Sequence, residues 1–158
     1  MVHVYSEPGK GATFNIYLPA SAKTIEGETP APADVLRSGS GGVLLVDDEP
    51  MILNTASHML AKLGYTVFQA ASGKEALALY REKQSAIDLV ILDMIMPGIT
   101  GSQMLKLLKE MNPEVRIILS SGYSLQGDVQ ALMEMGCRGF IQKPYNFVEL
   151  SNIVHQNL

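Results

Sequence analysis

Three acidic residues of this chain directly follow short apolar runs, a position from which carboxylates can bind a metal ion. Asp47 and Asp48 come after Val43–Val46, and Asp93 comes after Leu89–Leu92. Carboxylates held together repel one another, and one of them stays protonated unless a cation neutralises the group. Oxygen ligands without His or Cys select a hard ion, and Mg²⁺ fits best because it keeps waters and recruits phosphate oxygens. If the three residues converge, they form a candidate Mg²⁺ site.

A hydroxyl and an ammonium group follow two later apolar runs and suit a phosphoryl group. Ser120 and Ser121 come after Val115–Leu119, and Lys143 comes just after Gly139–Ile141. A lysine supplies a point charge for phosphoryl oxygens, and a serine hydroxyl supplies a hydrogen-bond donor. A carboxylate can itself accept a phosphoryl group covalently. The combination predicts phosphoryl-transfer chemistry at one of the acids.

These side chains need a parallel sheet to bring them together. Short continuous apolar runs, typical of strands covered on both faces, alternate with apolar residues at helical spacing. The runs are Val43–Val46, Thr66–Phe68, Leu89–Leu92, Val115–Leu119 and Gly139–Ile141. Such alternation predicts an α/β fold with an open, doubly wound, five-stranded parallel sheet and helices on both sides. Ligands bind beyond the carboxyl ends of such strands, so Asp47, Asp48 and Asp93 should converge there.

The chain before residue 43 has a different character. Residues 1–19 show strand-period alternation on either side of a Gly- and Pro-containing turn, which predicts a hairpin that is marginal by itself. Residues 20–42 contain Pro30, Pro32 and a Gly/Ser-rich run from Ser38, which predicts a flexible linker. The predicted organisation is therefore 1–19, 20–42 and a folded domain at 43–158.

Composition narrows the function classes. The net charge of −4, without a Lys/Arg run, argues against nucleic-acid binding through a basic face. A single cysteine, Cys137, excludes an intramolecular disulfide and favours a reducing compartment. No apolar run approaches the ~20 residues that cross a bilayer. We therefore expect a cytoplasmic protein without nucleic-acid or membrane contact, although its parent protein could be membrane-anchored.

Four motifs together resemble the bacterial response-regulator receiver domain of two-component signalling. They are Val43-LLVDDEP, Leu89-VILDMIMPGITG, Ile117-ILSSGY and Gly139-FIQKPY, in the family's order and spacing. The resemblance covers essentially all of residues 43–158 and implies a flavodoxin-like (βα)5 sheet with strand order 2-1-3-4-5. It also implies phosphoryl transfer from a histidine, on a kinase or a histidine-phosphotransfer protein, and a partner surface near Met133 to Phe147.

The resemblance assigns a role to each candidate site residue. Asp93 matches the phosphoacceptor, and Asp48, Asp93 and the backbone carbonyl of Ile95 would hold Mg²⁺, with Asp47 acting through water. Ser121 matches the hydroxyl position better than Ser120 does, because it precedes the small residue Gly122. Lys143 matches the family's lysine and is followed by an expected cis-proline, Pro144. The last two predictions are that Phe140 occupies the aromatic switch position and that Tyr123 flanks the phosphoryl site.

The N-terminal 19 residues resemble the last strands of the histidine-kinase ATPase domain. The matching residues are Ser6, Pro8, Gly9, Gly11, Phe14, Leu18 and Pro19. Kinase end, linker and receiver, in this order, is the layout of a hybrid sensor histidine kinase, which could dimerise through its kinase part. The ATPase domain's nucleotide-binding segments are absent here, so we expect no ATP binding and no kinase activity from this chain.

Other functions are compatible with part of the pattern. A haloacid-dehalogenase phosphatase also uses an Asp nucleophile and Mg²⁺, but it needs a second Asp where this chain has Ile95. A flavin binder would want a Ser/Thr-rich phosphate loop after the first strand, where acids stand instead. An inert receiver-like interaction module would usually have lost Asp48, Asp93 or Lys143, and all three are present. That inert module is the main alternative to an active receiver.

Overall fold

The computed structural model describes residues 1–19, 36–122 and 133–158, and the chain divides into two compact units, Met1–Ala33 and Asp34–Leu158. The first unit contains the predicted hairpin, in which strand β1 (Val2–Glu7) pairs antiparallel with β2 (Gly11–Ile16). Gly9 and Gly11 adopt φ values of 77° and 86°, the left-handed conformation that glycine tolerates best. The apolar side chains of both strands are exposed.

The second unit is a five-stranded parallel sheet. Its strands are β3 (Gly42–Val46), β4 (Thr66–Ala70), β5 (Leu89–Asp93), β8 (Ile117–Ser121) and β9 (Gly139–Gln142). They lie in the order β4-β3-β5-β8-β9, and all neighbours are parallel. Numbered along the sheet's own strands, this is the order 2-1-3-4-5, so the predicted topology is confirmed. A short antiparallel pair, β6 (Ile95–Met96) and β7 (Ile99–Thr100), follows β5.

Helices cover both faces because successive strand residues point in opposite directions. The helices are α1 (Pro50–Lys62), α2 (Gly73–Lys83), α3 (Gly101–Met111) and α4 (Phe147–Asn157). Val90 and Leu92 of β5 join the core against α2 and α3, whereas Leu89 and Ile91 join the core against α1 and α4. Continuous apolar runs therefore become strands buried on both sides in β3, β5 and β8, whereas the edge strands β4 and β9 are partly exposed, with Val67, Phe68 and Phe140 half-buried.

Short polar sequences fix where two of the helices begin. Thr100 caps α3 and Gln103 bonds back to it, and Asn146 and Glu149 form the same reciprocal capping box at α4. The α4 cap begins that helix four residues after β9 ends, which keeps the loop with Lys143 short. Of the predicted helix at Ala131, Leu132 and Met135, the first two residues lie outside the described ranges.

The last residues of the predicted linker, 36–42, are part of the described structure. Residues 20–35 lie outside the described part of the chain, but residues 36–42 make defined contacts with the sheet unit. The backbone N–H of Arg37 donates to Ser151 Oγ at 2.6 Å, and Ser151 Oγ donates to the Arg37 carbonyl at 3.2 Å. Gly39 N–H donates to the Leu63 carbonyl at 2.9 Å. The folded unit therefore includes the Gly/Ser-rich run, whose glycines let the backbone approach closely; a Cβ at Gly39 would collide with Tyr65.

Candidate functional site

The carboxyl ends of β3, β5, β8 and β9 meet at one edge of the sheet and bring the predicted acidic residues together. Asp47 directly follows β3, and Asp93 is the last residue of β5. The carboxylates of Asp47, Asp48 and Asp93 offer oxygen atoms that all lie within 4.8 Å of one another. Asp47 and Asp93 are buried, and Asp48 is half-buried. The predicted convergence of these three residues is confirmed.

Lys143 lies between the two buried acids. Its Nζ is 2.6 Å from Asp47 Oδ2 and 3.0 Å from Asp93 Oδ2, and its side chain is 11% exposed. The end of β9 places it there: Lys143 N–H donates to the Ser121 carbonyl at 2.7 Å, and the Lys143–Pro144 peptide is cis, as predicted. One ammonium group thus offsets part of the charge of three carboxylates.

Backbone donors occupy the remaining oxygens of the buried acids. Asp47 Oδ1 accepts from Glu49 N–H at 3.0 Å, and Asp93 Oδ1 accepts from Ile95 N–H at 3.3 Å. In both cases the donor lies two residues further on, the turn geometry that Asp favours at the end of a strand. These bonds fix both carboxylates in the loops that follow β3 and β5.

Burial and charge pairing act in opposite directions on the pKa values of Asp93 and Lys143. Burial raises the pKa of Asp93 above its usual value; Lys143 and the Ile95 N–H work against this rise, and the negative charge of Asp47 adds to it. Burial alone would lower the pKa of Lys143, but hydrogen bonds and charge interactions with Asp47 and Asp93 outweigh it and raise this pKa. Lys143 therefore stays charged, whereas Asp93 is an acid that gains from a further cation.

The donor set fits a hard divalent ion. Within the described residues, the atoms gathered here are carboxylate oxygens, with no His or Cys among them. Mg²⁺ binds through one or two carboxylates while keeping several waters, which a half-buried cluster open on the Asp48 side allows. A second positive charge would also favour the charged form of Asp93, against the burial and the Asp47 charge that raise its pKa.

Two of the other predicted site residues, Ser121 and Ile95, lie at the same edge of the sheet. Ser121, which is buried, ends β8, and Ser120 is the register partner of Asp93. The Ile95 side chain is exposed, next to Asp93 in the chain. Phe140 of β9 is half-buried and packs against the core on the α2 and α3 side. Tyr123 lies outside the described residues.

A cavity of about 570 Å³ opens beside Asp93 and Lys143. One wall is the first three turns of α1, with the side chains of Met51, Ile52, Thr55, Ala56 and Met59. The opposite side includes Pro144 and Tyr145. Because Met51 is 80% exposed, this wall offers an apolar surface at the mouth of an acidic site.

Sequence reasoning missed Tyr145 and the α1 wall as parts of the site. The signal for Tyr145 was its position two residues after Lys143, in the same strand-end loop. The signal for the α1 wall was the apolar start of the helix directly after Asp47-Asp48-Glu49. Neither signal states which way a side chain points, and that depends on how α1 packs against the sheet.

A family model for the "response regulator receiver domain" matches residues 43–155. Over 167 aligned residues the chain is 34% identical to "sensor kinase CckA" of Brucella abortus, covering 99% of this chain but only 18% of that kinase. It is also 33% identical to "sporulation initiation phosphotransferase F" of Bacillus subtilis, covering 73% of this chain and 92% of that protein.

Solved structures agree with these matches. The chemotaxis protein CheY4 of Vibrio cholerae superposes with a TM-score of 0.69 at 31% identity, covering 76% of this chain and all of that one. The CheX–CheY–BeF3–Mg complex from Borrelia burgdorferi superposes with a TM-score of 0.71 at 27% identity, covering 73% of this chain and 87% of that one. The chain belongs to the response regulator receiver domain family and carries the receiver fold of two-component phosphorelay signalling.

Proposed function

We propose that this chain is an active phosphoacceptor in which Asp93 takes a phosphoryl group from a phosphohistidine in a Mg²⁺-dependent reaction. The observation that carries the proposal is the buried Asp93 carboxylate, paired with Lys143 at 3.0 Å within a cluster of three acids. An inert module would have no need to gather three carboxylates, two of them buried, around a single ammonium group, since such burial costs free energy.

Each residue has a defined task in this transfer. One carboxylate oxygen of Asp93 forms the new P–O bond while the P–N bond of the phosphohistidine breaks, and its electron pair returns to the imidazole nitrogen. Asp48, Asp93 and the Ile95 carbonyl would hold Mg²⁺, with Asp47 acting through water, and the ion would supply charge neutralisation for the phosphoryl oxygens. Lys143 and Ser121 then bind the phosphoryl group on Asp93.

The cavity beside Asp93 is the proposed binding site of the phosphodonor. A phosphohistidine must come within bonding distance of Asp93, and the apolar α1 wall with Pro144 and Tyr145 lies around that approach. We propose that the protein carrying the phosphohistidine, a kinase or a histidine-phosphotransfer protein, packs apolar side chains against this wall. The added charge on Asp93 would draw in Lys143 and Ser121, shift Phe140 and alter the surface near Met133 to Phe147, where the responding partner docks.

We further propose that the chain derives from a hybrid sensor histidine kinase. The similarity to the Brucella sensor kinase covers 99% of this chain, so it includes the N-terminal hairpin as well as the receiver. The hairpin would then be the end of the kinase ATPase domain, and the parent would supply ATP-dependent histidine phosphorylation and a homodimer contact. The fragment itself would act as acceptor and not as kinase. None of the helices in the described ranges has the length and hydropathy of a membrane-spanning segment.

Intact-protein mass spectrometry tests the acceptor. After incubation with acetyl phosphate and Mg²⁺, we expect a gain of one phosphoryl group, which EDTA abolishes and Asp93→Asn removes. Asp88→Asn is the matched control, because Asp88 precedes β5 at the other end of the strand and its carboxylate accepts from Gly42 N–H. A wild-type chain that gains no mass under any condition would contradict the proposal and leave the inert interaction module.

A further inference from the structure

The hydroxyl group of Tyr145 is buried but has no hydrogen-bond partner among the described residues. Tyr145 is a half-buried residue, yet its Oη atom is fully buried. A buried hydroxyl without a partner costs free energy, so native proteins rarely keep one unless something absent from the bare chain satisfies it.

The hydroxyl lies close to the acidic site. Tyr145 lines the same cavity as Asp93 and Lys143. Burial raises the pKa of Tyr145, and the charge of Asp47 raises it further, with smaller opposing and supporting contributions from Lys143 and Asp93. The phenolic oxygen therefore lies within electrostatic reach of both buried carboxylates, but beyond direct hydrogen-bonding distance of either.

We propose that Tyr145 is a positioning residue for the metal site, and that its hydroxyl hydrogen-bonds a water molecule of the Mg²⁺ bound by the acids. This inference rests on the proposed function, because it assumes that the cluster binds Mg²⁺. A gap between a hydroxyl and a carboxylate is where a water bridges two polar groups, and Mg²⁺ keeps several of its waters when it binds protein. An ion-bound water is strongly polarised and is a good hydrogen-bond donor, and the phenolic oxygen can accept that hydrogen bond.

The same chain supplies a matched control. Tyr65 is buried, and its Oη also has no partner in the described part of the chain. The pKa of Tyr65 is raised by burial alone, with no contribution from the acidic residues, and the side chain lies beside Gly39 at the other end of the sheet. Tyr145→Phe and Tyr65→Phe therefore remove equivalent hydroxyls, one near the acids and one far from them, and both keep the ring.

The experiment titrates MgCl2 into wild type and both variants by calorimetry, without any phosphodonor. Tyr145→Phe should weaken Mg²⁺ binding about 3- to 10-fold, the effect of one hydrogen bond, whereas Tyr65→Phe should leave it unchanged. Thermal melts give a second readout: in EDTA Tyr145→Phe should melt at or above the wild-type temperature, and saturating Mg²⁺ should raise its melting temperature less than it raises that of wild type.

The outcomes separate this inference from the function on which it rests. Wild type that binds Mg²⁺ while Tyr145→Phe binds it equally well would overturn the role of Tyr145 and leave the acceptor proposal intact. Equal weakening in both variants would assign the effect to general packing and would also overturn the inference. Wild type that binds no Mg²⁺ would overturn the metal part of the proposed function together with this inference.

Discussion

Asp93 experiences opposing electrostatic effects in the metal-free protein. Burial raises its pKa, Lys143 lowers it and Asp47 raises it again, and the net direction is upward. A carboxyl group whose folded pKa lies above its unfolded pKa lowers stability as the pH rises through that interval. This loss of stability persists at higher pH. It is absent at low pH, where the carboxyl group is protonated in both the folded and the unfolded state. The proposed phosphoacceptor, Asp93, is thus also a residue that costs stability in its charged form.

Replacing this carboxylate should stabilise the metal-free protein. We expect Asp93→Asn in EDTA to raise the melting temperature at neutral pH by a few degrees, because the amide removes the penalised charge. Lys143 keeps a partner in this variant, since Asp47 lies 2.6 Å away. The gain should shrink as the pH falls through the raised pKa of Asp93, and it should be absent below about 4, where the carboxyl group is protonated in the folded and the unfolded state. Differential scanning calorimetry at several pH values measures it.

Asp88→Asn is again the matched control, because its carboxylate serves a backbone N–H at the other end of β5. It should not raise the melting temperature at neutral pH. A lower melting temperature for Asp93→Asn at neutral pH would show that the ion pair with Lys143 outweighs burial, and would contradict the prediction.

At the scale of elements, helices α1 and α4 each bury one serine on the same face of the sheet, with different consequences. Ser151 of α4 is fully buried, and its hydroxyl both accepts from Arg37 N–H and donates to the Arg37 carbonyl. Ser57 of α1 is 7% exposed, and its hydroxyl has no partner within the described ranges. One serine therefore joins α4 to the segment before β3, whereas the other is an unsatisfied polar group.

Alanine substitutions should distinguish these two roles. Ser151→Ala removes the two hydrogen bonds that join α4 to Arg37, so the free energy of unfolding should fall by about 1–2 kcal/mol. Ser57→Ala removes an unsatisfied hydroxyl and adds a better helix former, so it should be neutral or stabilising. Urea denaturation of both variants measures the difference. Equal losses in the two would contradict the assignment.

At the scale of the whole molecule, the chain has two compact units that differ in how much apolar surface they bury by themselves. The hairpin of residues 1–16 exposes its apolar side chains, with Phe14 64% and Ile16 66% exposed. An isolated two-stranded hairpin is marginal in water. The sheet unit, in contrast, buries two apolar cores, one on each face of the sheet. Its N-terminal limit lies upstream of β3, where residues 36–41 bond to α4, to Leu63 and to Thr66.

Two truncations test this limit. A chain of residues 36–158 keeps the bonds of Arg37, Gly39 and Gly41, whereas a chain of residues 43–158 loses them together with Gly42 N–H to Asp88. The shorter chain should be less stable by about 1–3 kcal/mol, because the Ser151 hydroxyl and buried carbonyls lose their partners. Urea midpoints compare the two. Identical midpoints would contradict this prediction and would show that the folded domain begins at residue 43.

The sequence determined the fold because its signals are local and repeated. Apolar runs at Val43–Val46 and Leu89–Leu92, with helical spacing between them, leave few arrangements other than a parallel sheet, and handedness restricts the order further. Asp47, Asp48 and Asp93 could be grouped for the same reason, since parallel strands end at one edge. The position of Lys143 could be predicted for the same reason, because it comes at the end of the fifth strand, directly before Pro144.

Tertiary structure alone decided what depends on side-chain direction and on partners distant in sequence. The Gly/Ser-rich run from Ser38 has linker composition, but Ser151, more than a hundred residues later, binds its backbone. In the sequence, Tyr145 looks like an ordinary aromatic residue of a loop. Only the folded structure buries its hydroxyl and places the residue in the cavity with α1 and Asp93. Sequence patterns report which residues are apolar and at what period. They do not report which polar atoms will be buried together, because that follows from packing across the whole sheet.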